Sequence, residues 1–247
     1  MWWAIIKSSA LLLFLLCSCT RQPESRPPIL YLASSLLPLK SAIETNLKKN
    51  VSMKFLNSSA IAQQIEQGFP CDVVIVADNK WQNFLIERNL VDSHSKIFAR
   101  NNLILAKNNS QTIFLTLEKL ISKHEKIIVA DPDYVPLGSY TKSALVTLGL
   151  FKQLEKNFIK AHSAQVARLL LKEGAANFAF LYASDVDNKN IFQATFIDAK
   201  LHPPIIYPLL QCKKSQKNHA HLLNSFLMSD EMQKILKNNG FGAAREQ

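Results

Sequence analysis

Ile29-Leu30-Tyr31-Leu32, Val51-Ser52-Met53-Lys54-Phe55-Leu56 and Asp72-Val73-Val74-Ile75-Val76-Ala77 read as three strands, each followed by a run of helical spacing. After the first, Leu36, Leu39, Ile43 and Leu47 recur at three- and four-residue intervals, the spacing of one helix face. A short helical run at 60–67 follows the second and stops at Gly68. After the third, Trp81, Phe84 and Leu85 gather on one side of 80–90. The run Val73-Val74-Ile75-Val76 is apolar at every position, which suits a strand covered on both faces. A βαβαβα order built around such a strand predicts a parallel sheet with helices on both sides.

A second set begins after Asn101-Asn102. Strands are expected at 103–106, 126–130, 178–182 and 191–197, with helices at 117–123, 141–148 and 164–172. Pro204-Ile205-Ile206-Tyr207 starts one more strand, and 220–238 is helical with a break at Ser229-Asp230. The expectation is an α/β protein of two lobes, each a mainly parallel sheet flanked by helices, with a cleft between them. Lobe 1 takes 29–102 and 212–247; lobe 2 takes 103–211, including the hinge strands. Clefts of this kind, at strand C-termini, are where α/β sheets bind ligands.

The first residues are of another kind. Met1-Trp2-Trp3-Ala4-Ile5-Ile6-Lys7 is a short basic start, and the apolar run at 10–16 is too short for a membrane span. Residues 1–18 read as an export signal. Leu16 and Ser18 stand three and one positions before Cys19, the pattern of a bacterial lipobox, so Cys19 is expected to carry lipid. An ordinary signal peptide is the plainer alternative. Residues 19–28, with three prolines, form a tether. The protein is thus expected outside the cytoplasm, in the periplasm or at the cell surface, as a membrane-anchored lipoprotein.

With 247 residues, 48% apolar and 19% charged, the chain is long enough for two modest lobes, and collagen-like or low-complexity readings fail. The formal net charge is +10, but the lysines are scattered and no aromatic residues interleave with them, which argues against nucleic acid. A solvated basic surface is the simpler reading. Cys71 and Cys212 each adjoin a strand-like run and are expected as buried free thiols; export would also permit a disulfide. The absence of a C-x-x-C pair leaves neither a zinc knuckle nor a thioredoxin-type site.

Four stretches place small, donor-rich residues ahead of helical runs: Ala33-Ser34-Ser35, Asn57-Ser58-Ser59, Val135-Pro136-Leu137-Gly138-Ser139-Tyr140 and His162-Ser163-Ala164. A helix start carries unpaired N–H groups and partial positive charge, so several converging starts would hold an oxyanion without a fixed cation. The plain alternatives are helix caps for Ser35 and Ser58 and a core position for Tyr182. Asp131 and Asp133 flank Pro132 and read as a turn rather than an acid–base pair. Asp185 reads as a brace, and His219 and His221 as solvated side chains rather than metal ligands. Neither a Gly-x-Ser-x-Gly elbow nor a P-loop occurs.

Beyond these local signals, an ordered set of segments resembles the periplasmic molybdate-binding proteins of ABC transporters, of the type II solute-binding family. The set comprises Leu32-Ala33-Ser34-Ser35-Leu36, the run from Asn57 to Val73, Phe98-Ala99-Arg100-Asn101-Asn102-Leu103, the run from Asp131 to Tyr140, Leu181-Tyr182-Ala183-Ser184-Asp185, Ile206-Tyr207-Pro208 and Asn239-Gly240-Phe241-Gly242. The resemblance implies a two-lobed fold that holds its anion with neutral donors. Ser35 and Ser58 match hydroxyl ligands, Leu137 and Ala164 match backbone N–H donors, and Tyr182 matches a tyrosine whose hydroxyl completes the cage. Leu137 and Cys71 stand where that family usually has alanine. The implied function is the substrate-binding component of an ABC importer for molybdate or tungstate, with no cofactor, no catalysis, a membrane permease as partner and a monomeric state. The alternatives are sulfate or another anion, small organic anions included, and an exported serine hydrolase built on Ser35 or Ser58.

Overall fold

The computed structural model describes residues 26–48, 50–108 and 116–242; the expected signal segment 1–18 and Cys19 lie outside them. In chain order the strands are β1 (Ile29–Ala33), β2 (Ser52–Leu56), β3 (Val73–Ile75), β4 (Lys96–Asn101), β5 (Leu103–Lys107), β6 (Ile127–Ala130), β7 (Phe158–Ala161), β8 (Phe178–Tyr182), β9 (Phe192–Phe196) and β10 (Ile205–Gln211). The helices are α1 (Lys40–Asn46), α2 (Ser58–Glu66), α3 (Asn79–Glu87), α4 (Leu117–Ser122), α5 (Pro136–Thr147), α6 (Phe151–Leu154), α7 (Ala164–Lys172), α8 (Lys217–Leu227) and α9 (Asp230–Asn238).

The strands form two five-stranded sheets, ordered β2-β1-β3-β10-β4 and β7-β6-β8-β5-β9. In the first, β1 is parallel to β2 and β3, while β10 runs antiparallel to β3 and β4. In the second, β6 is parallel to β7 and β8, while β5 runs antiparallel to β8 and β9. Each sheet is therefore mainly parallel with one reversed strand, as expected. The reversed strands are those that follow a crossing between lobes: β5 comes after β4 with only Asn102 between them, and β10 follows the second sheet's β9. Because β10 lies between β3 and β4, the chain is back in lobe 1 by Ile205. The expected boundary after residue 211 is too late, since the apolar run of β10 is buried in the first sheet.

Every residue of β1 is buried, and its side chains alternate between two cores. Leu30 and Leu32 join the main core, while Ile29 and Tyr31 join a second cluster with Ile61, Ile65, Val74 and Leu85. This is the period-two consequence of covering a sheet on both faces. The helix expected from Leu36 begins instead as a 3-10 turn, Ser34–Leu39, with Pro38 inside it. Proline offers no N–H and crowds the preceding turn, so regular α-helix starts only at Lys40.

Asp72, wholly buried, ties the back of lobe 1 together. It accepts from Ile29 N (2.8 Å), Gln216 N (2.9 Å) and Arg26 Nη2 (2.9 Å), and His219 Nδ1 lies at 3.3 Å. Burial alone would raise its pKa, but these hydrogen bonds from Arg26, Ile29 and Gln216 outweigh it and hold the carboxyl below its ordinary value. The expected tether thus becomes fixed at Arg26, and His219 faces a carboxylate. Beside Asp72, Cys71 and Cys212 form a disulfide with Cα atoms 5.8 Å apart. This corrects the free-thiol reading. The antiparallel register of Gln211 with Val73, continued by the bond from Cys212 N to Asp72 O, brings two thiols 141 positions apart side by side.

Candidate functional site

Six chain segments meet where the two sheets face each other. Lobe 1 supplies Ala33 at the end of β1 with Ser34 and Ser35 after it, Asn57 and Ser58 after β2, and Ala77 after β3. Lobe 2 supplies Val135, Pro136 and Leu137 after β6, Ala164 after β7, and Tyr182 at the end of β8. All six lie at the C-terminal ends of parallel strands, where strand-to-helix turns point their N–H groups outward. All five residues expected from sequence, Ser35, Ser58, Leu137, Ala164 and Tyr182, are brought together here.

The cavity they enclose is small, about 10 Å³. Sites for organic ligands run to roughly 300–1,000 Å³. This one is far smaller than such sites, which favours a small ion over the organic solutes among the expected alternatives. None of its eleven lining residues carries a formal charge. A larger groove of about 360 Å³ lies elsewhere on lobe 1, open to solvent, where Asp92 and Lys213 neutralise each other at 2.9 Å.

Local sequence explains how donors come to face the cavity. Neither Asn57 nor Val135 caps its helix with a side chain, so the first turns of α2 and α5 remain open to a ligand. Pro136 at the start of α5 has no N–H, which makes Leu137 the first donor of that helix. The Leu137 side chain is wholly buried in the main core, so the departure from alanine removes no donor. Gly138 lets α5 lie directly on the end of β6: a Cβ there would stand 2.1 Å from Ala130 O. In α7, Ser163 Oγ accepts from Val166 N at 3.0 Å, capping the helix that presents Ala164.

The hydroxyls are prepared as donors. Ser58 Oγ accepts from Ala77 N at 3.0 Å, leaving its proton for the cavity. Ser35 Oγ lies 3.1 Å from Tyr207 Oη. Burial pushes the Tyr182 hydroxyl pKa well above its ordinary value, so it remains a donor. The Tyr182 N–H donates to Asp185 Oδ2 at 3.1 Å, the bracing role expected. Burial raises the Asp185 carboxyl to about 7, against the opposing effects of that N–H and of Arg168, which lessens its charge near the cavity. Asp133 N donates to Asp131 Oδ1 at 3.0 Å, the expected turn.

Two residues that matter here had no role in the sequence reading. Tyr140, three positions after Leu137 on α5, donates its hydroxyl to Ala77 O of lobe 1 at 3.1 Å. Its position on the same helix face as Leu137 was the available signal. Tyr207 stands behind Ser35; its segment Ile206-Tyr207-Pro208 belongs to the resemblance, but no role was assigned to its side chain. Further bonds close the lobes on each other: Asn57 Nδ2 to His162 O, and Lys80 Nζ to Asp133 O at 3.3 Å. Tyr140→Phe keeps the ring but orphans Ala77 O in the closed form, an expected loss of about 1–2 kcal/mol in ligand affinity. The loss should appear mainly as faster release in stopped-flow measurements; an unchanged release rate would remove this latch.

Comparison with known proteins agrees with the geometry. Residues 33–242 match the family described as bacterial extracellular solute-binding protein. The molybdate-binding protein ModA of Haemophilus influenzae is 28% identical over 211 residues, covering 83% of each chain. The substrate-binding domain of a putative molybdenum ABC transporter from Clostridium difficile superposes with a TM-score of 0.69 at 30% identity, over 87% of this chain and 98% of that one. The periplasmic molybdate-binding protein of Azotobacter vinelandii shares the fold, with a TM-score of 0.77 at 19% identity, over 89% of this chain and all of that one. Two mainly parallel sheets facing each other across a small neutral cavity are thus joined by a match spanning most of the sequence, and the chain belongs to the bacterial extracellular solute-binding protein family.

Proposed function

We propose that this protein is the substrate-binding component of an ABC importer that captures molybdate or tungstate. The observation that carries the reading is the small, uncharged cavity ringed by helix starts and hydroxyls from both lobes. Ser35, Ser58 and Tyr182 donate through hydroxyls, and Leu137 and Ala164 through backbone N–H groups. A tetrahedral dianion has only acceptors, so it is matched on every side by such a cage. Each hydrogen bond to a charged group contributes about 1.5–3 kcal/mol. A protonated anion such as hydrogen phosphate brings a donor that finds no acceptor, and is disfavoured.

Capture closes the lobes, and the closed form docks on a membrane permease as a monomer, with Cys19 carrying the lipid that holds the protein at the membrane. No chemistry occurs on the ligand: Ser35 and Ser58 have Tyr207 and Ala77 N as their hydrogen-bond partners, neither of which is a general base for a hydrolase. Sulfate remains the competing reading within the class, since it presents the same charge and acceptors. Calorimetry with molybdate, tungstate, sulfate and phosphate decides between them. Tight binding of the first two with weak binding of the others is expected, and equal affinity for sulfate would overturn the selectivity. Ser58→Ala should lose about 1.5–3 kcal/mol of molybdate affinity; an unaltered titration would take Ser58 out of the cage.

A further inference from the structure

We propose that Tyr207 and Asn101 are positioning residues that set the direction of the Ser35 hydroxyl, so that it donates to the bound anion; this rests on the oxyanion-capture reading above. Asn101 lies at the end of β4. Its Oδ1 accepts from the backbone N–H groups of Asn102 (2.9 Å) and Ser184 (3.4 Å). Backbone N–H groups can only donate, so the amide orientation is fixed and Nδ2 faces the other way. From there Nδ2 donates to Ser184 Oγ at 2.9 Å and to Tyr207 Oη at 3.4 Å.

Tyr207 is fully buried and lies outside the cavity lining, behind Ser35. Its oxygen receives the Asn101 hydrogen, so its single proton must go to the remaining neighbour in reach among the described residues, Ser35 Oγ at 3.1 Å. The reverse direction would press the phenol proton against the Asn101 amide hydrogens and leave it unpaired in a buried site, which is costly. Burial also keeps the phenol protonated. Ser35 therefore spends acceptor capacity on Tyr207 and turns its own proton toward the cavity. Donation runs one way, from Asn101 to Tyr207 to Ser35 to the anion. Ser58 is set in the same sense by Ala77 N.

The consequence concerns selectivity. To accept from a protonated anion, Ser35 would have to turn its own proton away from the cavity and leave it unpaired, which is disfavoured. Tyr207→Phe keeps the ring packed edge-on against Tyr182 and Phe241 but removes the hydrogen bond to Ser35. Ser35 then regains an acceptor and can turn either way.

Calorimetry with molybdate and with inorganic phosphate, which carries a proton near neutral pH, is run on wild type, Ser35→Ala, Tyr207→Phe and the double variant. Tyr207→Phe is expected to bind molybdate about tenfold more weakly, to lose part of its discrimination against phosphate, and to keep its thermal midpoint. In the Ser35→Ala background the same change should have no effect on molybdate, because the group it orients is gone. An unchanged molybdate affinity in Tyr207→Phe, an equal loss for both anions, or an undiminished effect in the Ser35→Ala background would each overturn the relay while leaving capture standing. A wild-type protein that binds no molybdate would instead remove the capture reading, and the relay with it.

Discussion

Gly138→Ala is expected to weaken molybdate binding on the order of a hundredfold and to destabilise lobe 2 by on the order of 3 kcal/mol. Propensity points the other way: alanine is favoured over glycine within a helix by about 1 kcal/mol. Packing decides the sign. A Cβ at Gly138 would lie 2.1 Å from Ala130 O and 2.6 Å from Asp131 C, both backbone atoms at the end of β6. Neither can rotate aside, so the first turn of α5 must lift away from the sheet. That turn carries the Leu137 N–H and, three residues on along the same face, the Tyr140 latch to Ala77. Moving it would remove the hydrogen bond proposed from the Leu137 N–H to the anion and loosen closure together. Thermal unfolding and calorimetry on the variant check both parts; a protein of wild-type stability and affinity would show that this approach is not needed.

The second large effect is loss of the disulfide. Cys71 and Cys212 close a loop of 141 positions, and a cross-link over so long a loop restrains the unfolded chain strongly. Replacing both cysteines by serine, or reducing the native protein, is expected to cost about 2–5 kcal/mol, which lowers the unfolding midpoint by roughly 2–4 °C for each kcal/mol in a protein of this size. The bond joins the start of β3 to the end of β10, whereas Ala77 and the cavity lie past the other end of β3. Molybdate affinity of the folded variant should therefore stay close to wild type. An unfolding midpoint indifferent to reductant would contradict the bond.

What could be read from sequence and what could not follows burial. β1, β3 and β8 are buried at every position and announce themselves as apolar runs. Opposite the foreseen edges β2 and β9, the strands not foreseen, β4 and β7, each lie at one edge of their sheet. There Lys96, Arg100 and Lys160 remain partly or fully exposed, which breaks the apolar pattern. Most of the cavity-lining residues follow strands at helix starts, a local pattern that residue types mark, whereas their ligand roles were implied by the family resemblance. Tyr207, Asn101 and the cysteine pairing were not, because each depends on which strands become neighbours. Tyr207 meets Ser35 across 172 positions only because β10 inserts between β3 and β4.

The central claim is that uncharged donors from both lobes replace the water around a dianion. Crystals grown with tungstate test it most directly, because the anomalous signal of tungsten locates the ion without reference to the protein. The account predicts one strong peak inside the cavity, with the tungstate oxygens within hydrogen-bonding distance of the Ser35, Ser58 and Tyr182 hydroxyls and of the Leu137 and Ala164 N–H groups. A peak elsewhere, or an ion held directly by a lysine or arginine, would contradict it.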